Sequence, residues 1–257
     1  MRIALVCAAS QGLGKAAARA LAAGGAAVAI CSRRADAIEA AARELRRDTG
    51  ADVVPFVADL SRAPDPARVV QQTVDRFGGL DILVTNTGGP RSAPFEALSD
   101  QDWQDAVDSL LMSVVRLCRA AVPHMRARGG GRIINITSVA VKQPVDGLML
   151  SNAVRSAVVG FSKTLANELA RDRILVNCVA PGFTRTERVA EVTRAAAARE
   201  GVTADAVEAR IVQQIPMGRL GEPTDLANLI AFLASEGGDY VTGTTIPVDG
   251  GYLRGVL

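Results

Sequence analysis

The chain has 257 residues, 49% of them apolar and 22% charged, enough for a substantial core and too apolar for a disordered chain. Its 29 basic and 27 acidic residues nearly cancel and only 4% are aromatic, which argues against the basic stripe or stacking platform of a nucleic-acid binder. No apolar run reaches the roughly 18–20 residues of a membrane helix, and the N-terminus lacks the shape of a signal peptide. Four scattered cysteines, Cys7, Cys31, Cys118 and Cys178, sit in apolar settings. They read as buried thiols of a reducing, cytoplasmic compartment. The single histidine, His124, reads as a surface or interface residue and rules out a His-rich metal centre. No metal site is expected.

Short apolar runs alternate with Ala-rich amphipathic stretches along the chain. Strands are expected at 2–7, 26–31, 52–57, 80–85, 132–137, 174–179 and 244–248. Helices are expected at 12–24, 35–48, 65–77, 99–127, 151–171 and 223–235. That alternation predicts an α/β fold, a doubly wound parallel sheet with helices on both faces. A closed eight-fold barrel also alternates, but the count stops at seven strands. No linker or repeat interrupts the chain, so residues 1–257 read as one domain. From Gly182 to Pro216 the rhythm changes to a charged, Ala-rich excursion with a Glu-Gly break at 200–201. One or two helices laid over the carboxyl edge of the sheet fit it, and residues 183–215 are expected to act as a substrate lid.

The first strand ends in Cys7-Ala8-Ala9-Ser10-Gln11-Gly12-Leu13-Gly14-Lys15, directly before the first helix. Gly12 and Gly14 would let backbone approach a pyrophosphate, and the helix N-terminus supplies N–H groups and positive dipole. Ser10, Gln11 and Leu13 belong to the same turn. The second strand ends in Ser32-Arg33-Arg34, where an acidic residue would favour NAD. A hydroxyl and two guanidinium forks match a 2′-phosphate instead, so NADP(H) is favoured over NAD(H).

Together the motifs resemble the short-chain dehydrogenase/reductase family, and 3-oxoacyl-(acyl-carrier-protein) reductases within it. They run in order over residues 1 to about 252: Asp59-Leu60, Thr85-Asn86-Thr87-Gly88, Ile133 to Ser138, Asn177 to Gly182, Gly218 to Pro223, and Val241-Thr242-Gly243 with Val248 to Gly251. The resemblance implies a seven-stranded Rossmann sheet. It places Asp59 and Leu60 at the adenine, Asn86, Thr87 and Gly88 along the cofactor, and Pro181, Gly182 and Thr184 at the nicotinamide. It also implies a homotetramer, or a dimer, built on the long helices. A rim of Arg126, Arg128, Arg132, Arg171 and Arg173 would suit an acidic carrier, but two carrier-gripping positions of the family are Gly129 and Asp172 here.

The chain departs from the family in two places. In the glycine-rich turn, Cys7 and Ala8 replace Thr and Gly; the methyl is tolerable if φ at Ala8 is negative. At the catalytic positions, Leu110 stands for Asn, Ser138 is kept, and Ser151 and Arg155 stand for Tyr and Lys. Tyr240 and Tyr252 lie at the far C-terminus and do not restore the register. A phenol with a pKa of about 10 is replaced by a far less acidic hydroxyl. Losing a general acid costs about 10²–10⁴ in rate, roughly 3–5 kcal/mol of barrier. Arg155 keeps the charge and would still meet the nicotinamide ribose, but a guanidinium does not relay protons.

Two stand-ins for the acid are Lys142 and, on the same loop, Asp146; both also read as solvated loop charges. Ser138 and Ser151 would together polarise a substrate oxygen, and Ser151 also reads as the N-cap of a helix from Asn152. Arg185 and Arg188 read as partners of a substrate carboxylate or phosphate, or of Glu187 and Glu191. The expected activity is hydride transfer between NADP(H) and a carbonyl or activated C=C/C=N substrate, a small molecule, through Ser138, Ser151 and Arg155. The alternative is a dinucleotide-binding member that is redox-inactive or repurposed as an isomerase, lyase or regulatory partner.

Overall fold

Most strand positions are apolar because both faces of the sheet are covered. In β1 (Ile3–Cys7), Ala4 and Val6 face one layer and Leu5 and Cys7 the other, all fully buried. The structure, a computed structural model, describes residues 1–256. After β1 come α1 (Gly12–Ala23), β2 (Ala27–Ser32), α2 (Ala35–Thr49), β3 (Val53–Val57), α3 (Pro64–Phe77) and β4 (Ile82–Thr85). The second half holds α4 (Asp100–Ala106), α5 (Ser113–Ala127), β5 (Gly131–Ile136), α6 (Met149–Leu169), β6 (Ile174–Pro181), α7 (Glu187–Glu200), α8 (Ala204–Gln214), α9 (Pro223–Ala234) and β7 (Thr245–Val248). Short 3₁₀ turns fill some of the connections.

The seven strands are all parallel in the order β3-β2-β1-β4-β5-β6-β7. Residues of α1, α2 and α9 pack on one face, and residues of α3, α5 and α6 on the other. In α1, Gly14, Ala17, Ala18, Leu21 and Ala22 are buried at the 3-4-3-4 spacing of a helix stripe. Each fully buried Leu or Ile of these layers contributes about 1.5–3 kcal/mol. The strand order reverses between β1 and β4. The loops leaving those two strands therefore diverge and open a crevice at the carboxyl edge.

Strand boundaries fall within two residues of the expected ones, but two helices differ. The stretch 99–127 is continuous yet not uniform: α4 and α5 are joined by a π-helical segment, Val107–Met112, that carries Leu110. The helix expected from 151 begins at Met149, and its N-cap position is Leu148. Ser151 thus lies within the first turn of α6 and is not the cap. The excursion 182–216 forms two helices, α7 and α8, parted at Gly201 (φ 69°) where the Glu-Gly break was expected. Among the described residues, no helix is long and apolar enough to cross a membrane and no acidic, His or Cys cluster suits a metal.

Candidate active site

A cleft of about 1330 Å³ runs along the carboxyl edge, from the ends of β2 and β3 across β1 and β4 to β5 and β6. Its floor at β1 is a tight turn. Gly12 takes φ 57°, a conformation that costs glycine little. Gln11 precedes α1 without a side-chain cap, so the first-turn N–H groups remain open to a ligand. Gly14 serves a different purpose from the one read in the sequence. It is buried under the helix, outside the cleft lining, and a Cβ there would stand 2.5 Å from the Ala8 carbonyl oxygen and 2.9 Å from that of Cys7. Its role is close helix–strand approach, not contact with a phosphate.

Ala8 departs from expectation. Its φ is 47°, so the methyl sits in the left-handed region that glycine tolerates best. Next to it, a hydrogen bond with Cys31 and burial push the Cys7 thiol well above its ordinary pKa, so it stays protonated at neutral pH. All four cysteines are buried and free.

At one end the cleft is lined by Ser32, Arg33, Arg34, Asp59 and Leu60, together with Lys15 and Arg19, which sequence reasoning missed. Lys15 meets Glu44 at 2.5 Å, and Arg19 meets Glu44 at 2.7 Å as well as Asp48. Arg34 lies 3.1 Å from Asp36, both well exposed. Arg33 forms no ion pair with any described residue. The Asp59 carboxylate accepts from the Ser61 hydroxyl at 2.7 Å and its amide at 3.2 Å. Asn86, Thr87 and Gly88 line the middle, and the Asn86 amide reaches the Ala8 carbonyl at 3.5 Å.

At the far end the chain after β5 and the start of α6 bring Ser138, Ser151 and Arg155 into the cleft lining, together with Pro181, Gly182 and Thr184. The Ser138 hydroxyl accepts from the Ala140 amide at 3.2 Å. Arg155 Nε donates to Ser151 Oγ at 3.2 Å, and its Nη1 donates to the Ile136 carbonyl at 3.2 Å. Burial lowers the Arg155 pKa to about 10, with the Arg188 charge adding to the effect. It remains cationic at neutral pH. Leu110 is buried against Ala106, Leu150 and Val154, outside the cleft. It seals the first turns of α6 against the π-helical segment. Below the site, Thr85 Oγ1 donates to Asn135 Oδ1 (2.7 Å) and Asn135 Nδ2 to Ser162 Oγ (2.8 Å), a buried chain tying β4, β5 and α6.

Two candidates fall elsewhere. Lys142 and Asp146 are exposed and outside the cleft lining, so the geometry gives neither a proton-donor role. Thr184 lines the cleft but is buried, with its hydroxyl on the Gly182 carbonyl (3.3 Å) and its backbone bridged to Gly221. Thr186, two residues on, was missed. It caps α7 by accepting from Val189 N, and its Cγ2 would lie 3.6 Å from a Cβ on Gly12. Its signal is a Thr directly before a helix. Arg185 pairs with Glu222 (3.1 Å) and Glu208 (3.6 Å), not Glu187. Arg188 pairs with Glu191 (3.0 Å), as the plainer reading had it, and also crosses the cleft to donate to the Pro90 carbonyl at 2.8 Å. It passes over Gly89, where a Cβ would come within 2.5 Å of the Arg188 Cζ. Tyr252 is buried edge-on against Phe183 and does not line the cleft.

A doubly wound sheet with a phosphate-type turn at its switch point defines a dinucleotide-binding α/β protein. Comparison with known proteins narrows this further. A family profile described as enoyl-(acyl carrier protein) reductase matches residues 7–253. A 3-oxoacyl-(acyl-carrier-protein) reductase of Staphylococcus aureus is 35% identical over 249 residues, 96% of this chain and 96% of that protein. L-Sorbose reductase from Gluconobacter frateurii, solved with NADPH and L-sorbose, superposes with a TM-score of 0.94 at 34% identity, covering 99% of this chain and 97% of that one. A variant of actinorhodin polyketide ketoreductase with NADPH gives 0.95 at 33% identity, with 99% and 98% covered. The chain belongs to the short-chain dehydrogenase/reductase family of oxidoreductases.

Proposed function

We propose that the protein is an NADP(H)-dependent oxidoreductase acting on a carbonyl or an activated C=C or C=N bond through Ser138, Ser151 and Arg155. The observation that carries this is the continuity of one cleft from the open N-terminus of α1 and Arg33 to those three side chains. The residues fit a dinucleotide: Gly12 and the uncapped α1 amides for the pyrophosphate, Arg33 for a 2′-phosphate, and Pro181 and Gly182 beside the nicotinamide end. Such a cofactor supplies or accepts hydride when bound.

The chain's own groups do the rest. Ser138 and Ser151 each keep a hydroxyl hydrogen to donate, since both oxygens act as acceptors in their protein contacts. Two such donors polarise a substrate oxygen and stabilise charge that develops there. Arg155 adds a fixed positive charge and holds Ser151 in position. Among the described residues no phenol lines the cleft, so protonation falls to solvent or to the substrate itself. Substrates that need little acid help, such as conjugated enones and protonated imines, are therefore favoured over simple ketones.

The test is cofactor oxidation with ketones, enones and imines, run on wild type, Ser138→Ala, and the double variant Ser151→Tyr/Arg155→Lys. Turnover of an activated class by wild type, reduced in Ser138→Ala, supports the proposal. NADPH binding without turnover of any class, with activity only in the double variant, overturns it in favour of a redox-inactive or repurposed member.

A further inference from the structure

Arg155 is a half-buried cation in the cleft lining whose counter-charge the described residues do not provide. Its Nε and one Nη1 hydrogen are engaged by Ser151 Oγ and the Ile136 carbonyl, both neutral. Five N–H groups less these two leave three, one on Nη1 and two on Nη2. No described carboxylate pairs with it, and the charge that acts on it is the like charge of Arg188. Among the described residues Arg33 also lacks an ion pair, but it follows β2 at the other end of the cleft, and the remaining cleft arginines are paired. Arg188 has Glu191 and the Pro90 carbonyl, Arg185 has Glu222 and Glu208, and Arg34 has Asp36. A partly buried charge is costly when it has no counter-charge, and ribose hydroxyls are neutral.

We propose that the substrate carries a carboxylate that binds end-on to the free Nη1 and Nη2 hydrogens of Arg155. This rests on the oxidoreductase reading and names its substrate class: an oxo acid, enoic acid or imino acid whose reacting bond lies beside Ser138 and Ser151. The carboxylate neutralises the Arg155 charge, and bidentate geometry makes the pairing selective over neutral polar groups. Arg188, reaching over Gly89 to the Pro90 carbonyl, lines the same cleft.

Calorimetric titration tests this with 2-oxobutanoate, 3-oxobutanoate and 4-oxopentanoate, each against its methyl ester, with and without NADPH, on wild type, Arg155→Gln and Arg155→Lys. At least one acid should bind about 10–100-fold tighter than its ester. Arg155→Gln should erase that preference and Arg155→Lys keep part of it. The acid–ester comparison on wild type stands even if a variant fails to fold. Equal affinity of acid and ester, no binding by any acid, or a preference that survives Arg155→Gln overturns the proposal. So does inorganic phosphate binding at Arg155 as tightly as the best acid, because that describes a general anion hole. Acid selectivity without NADPH binding would defeat the oxidoreductase reading and leave the carboxylate site standing. NADPH binding without acid selectivity would do the reverse.

Discussion

Replacing Ala8 by glycine should stabilise the protein, against the general rule that mutations destabilise. Ala8 holds φ 47° between β1 and α1. A side chain in the left-handed region costs about 1–2 kcal/mol. Glycine removes that cost but loses about 0.5–1 kcal/mol more backbone entropy on folding. The methyl is only half-buried, so little packing is lost with it. At the midpoints of these ranges the net gain is about 0.75 kcal/mol. For a chain of 257 residues, an unfolding entropy near 2.1 cal/mol/K per residue converts this to a rise of roughly 1–2 °C in Tm. Urea unfolding followed by circular dichroism, with the slope unchanged, reads the difference directly. An Ala8→Gly variant equal to or less stable than wild type would refute strain at this turn.

Gly14→Ala should act in the opposite sense, since its Cβ would meet the Ala8 carbonyl at 2.5 Å. Overpacking of about 1–3 kcal/mol and weaker NADPH binding are expected in thermal melts and titration, and an unaffected protein would contradict the close approach. Thr85→Val leaves Asn135 Oδ1 without its donor in a fully buried position. The expected loss is about 1–3 kcal/mol by urea unfolding, and a neutral result would mean the buried chain contributes nothing. On the acid side, the Ser99 amide holds Asp102 below the usual carboxylate range, and Arg219 does the same for Asp225. Folded pKa values below the unfolded one give stability that is present above about pH 4 and is lost as pH falls through the lower folded values. A urea midpoint independent of pH from about 4 down to 2 would contradict these caps.

The fold was legible because every layer repeats one rule: a short apolar run is a doubly covered strand, and a 3-4 apolar stripe is a helix. The cleft was legible where residues follow strand ends, as at Ser32-Arg33 and Ser138. What escaped depends on conformation or on distant partners. The sign of φ at Ala8 follows from the turn closing on Gly14, which no local preference states. Ser151 looked like a cap because a serine precedes an asparagine, yet α6 starts two residues earlier, at Met149. The engagement of Arg188 with Pro90 spans 98 positions of chain, so no spacing along the sequence announces it. Lys142 looked catalytic by its nearness to Ser138, but the intervening 3₁₀ turn, Val139–Val141, leaves it exposed and outside the cleft.

The account stands on a phosphorylated pyridine dinucleotide lying between the α1 N-terminus and Arg33. Fluorescence titration of the protein with NADPH and with NADH tests this most directly. NADPH should bind at least about tenfold tighter, through charge-assisted bonds to the 2′-phosphate, and Arg33→Ala should remove most of the difference. Tighter binding of NADH, or no binding of either nucleotide, would contradict it.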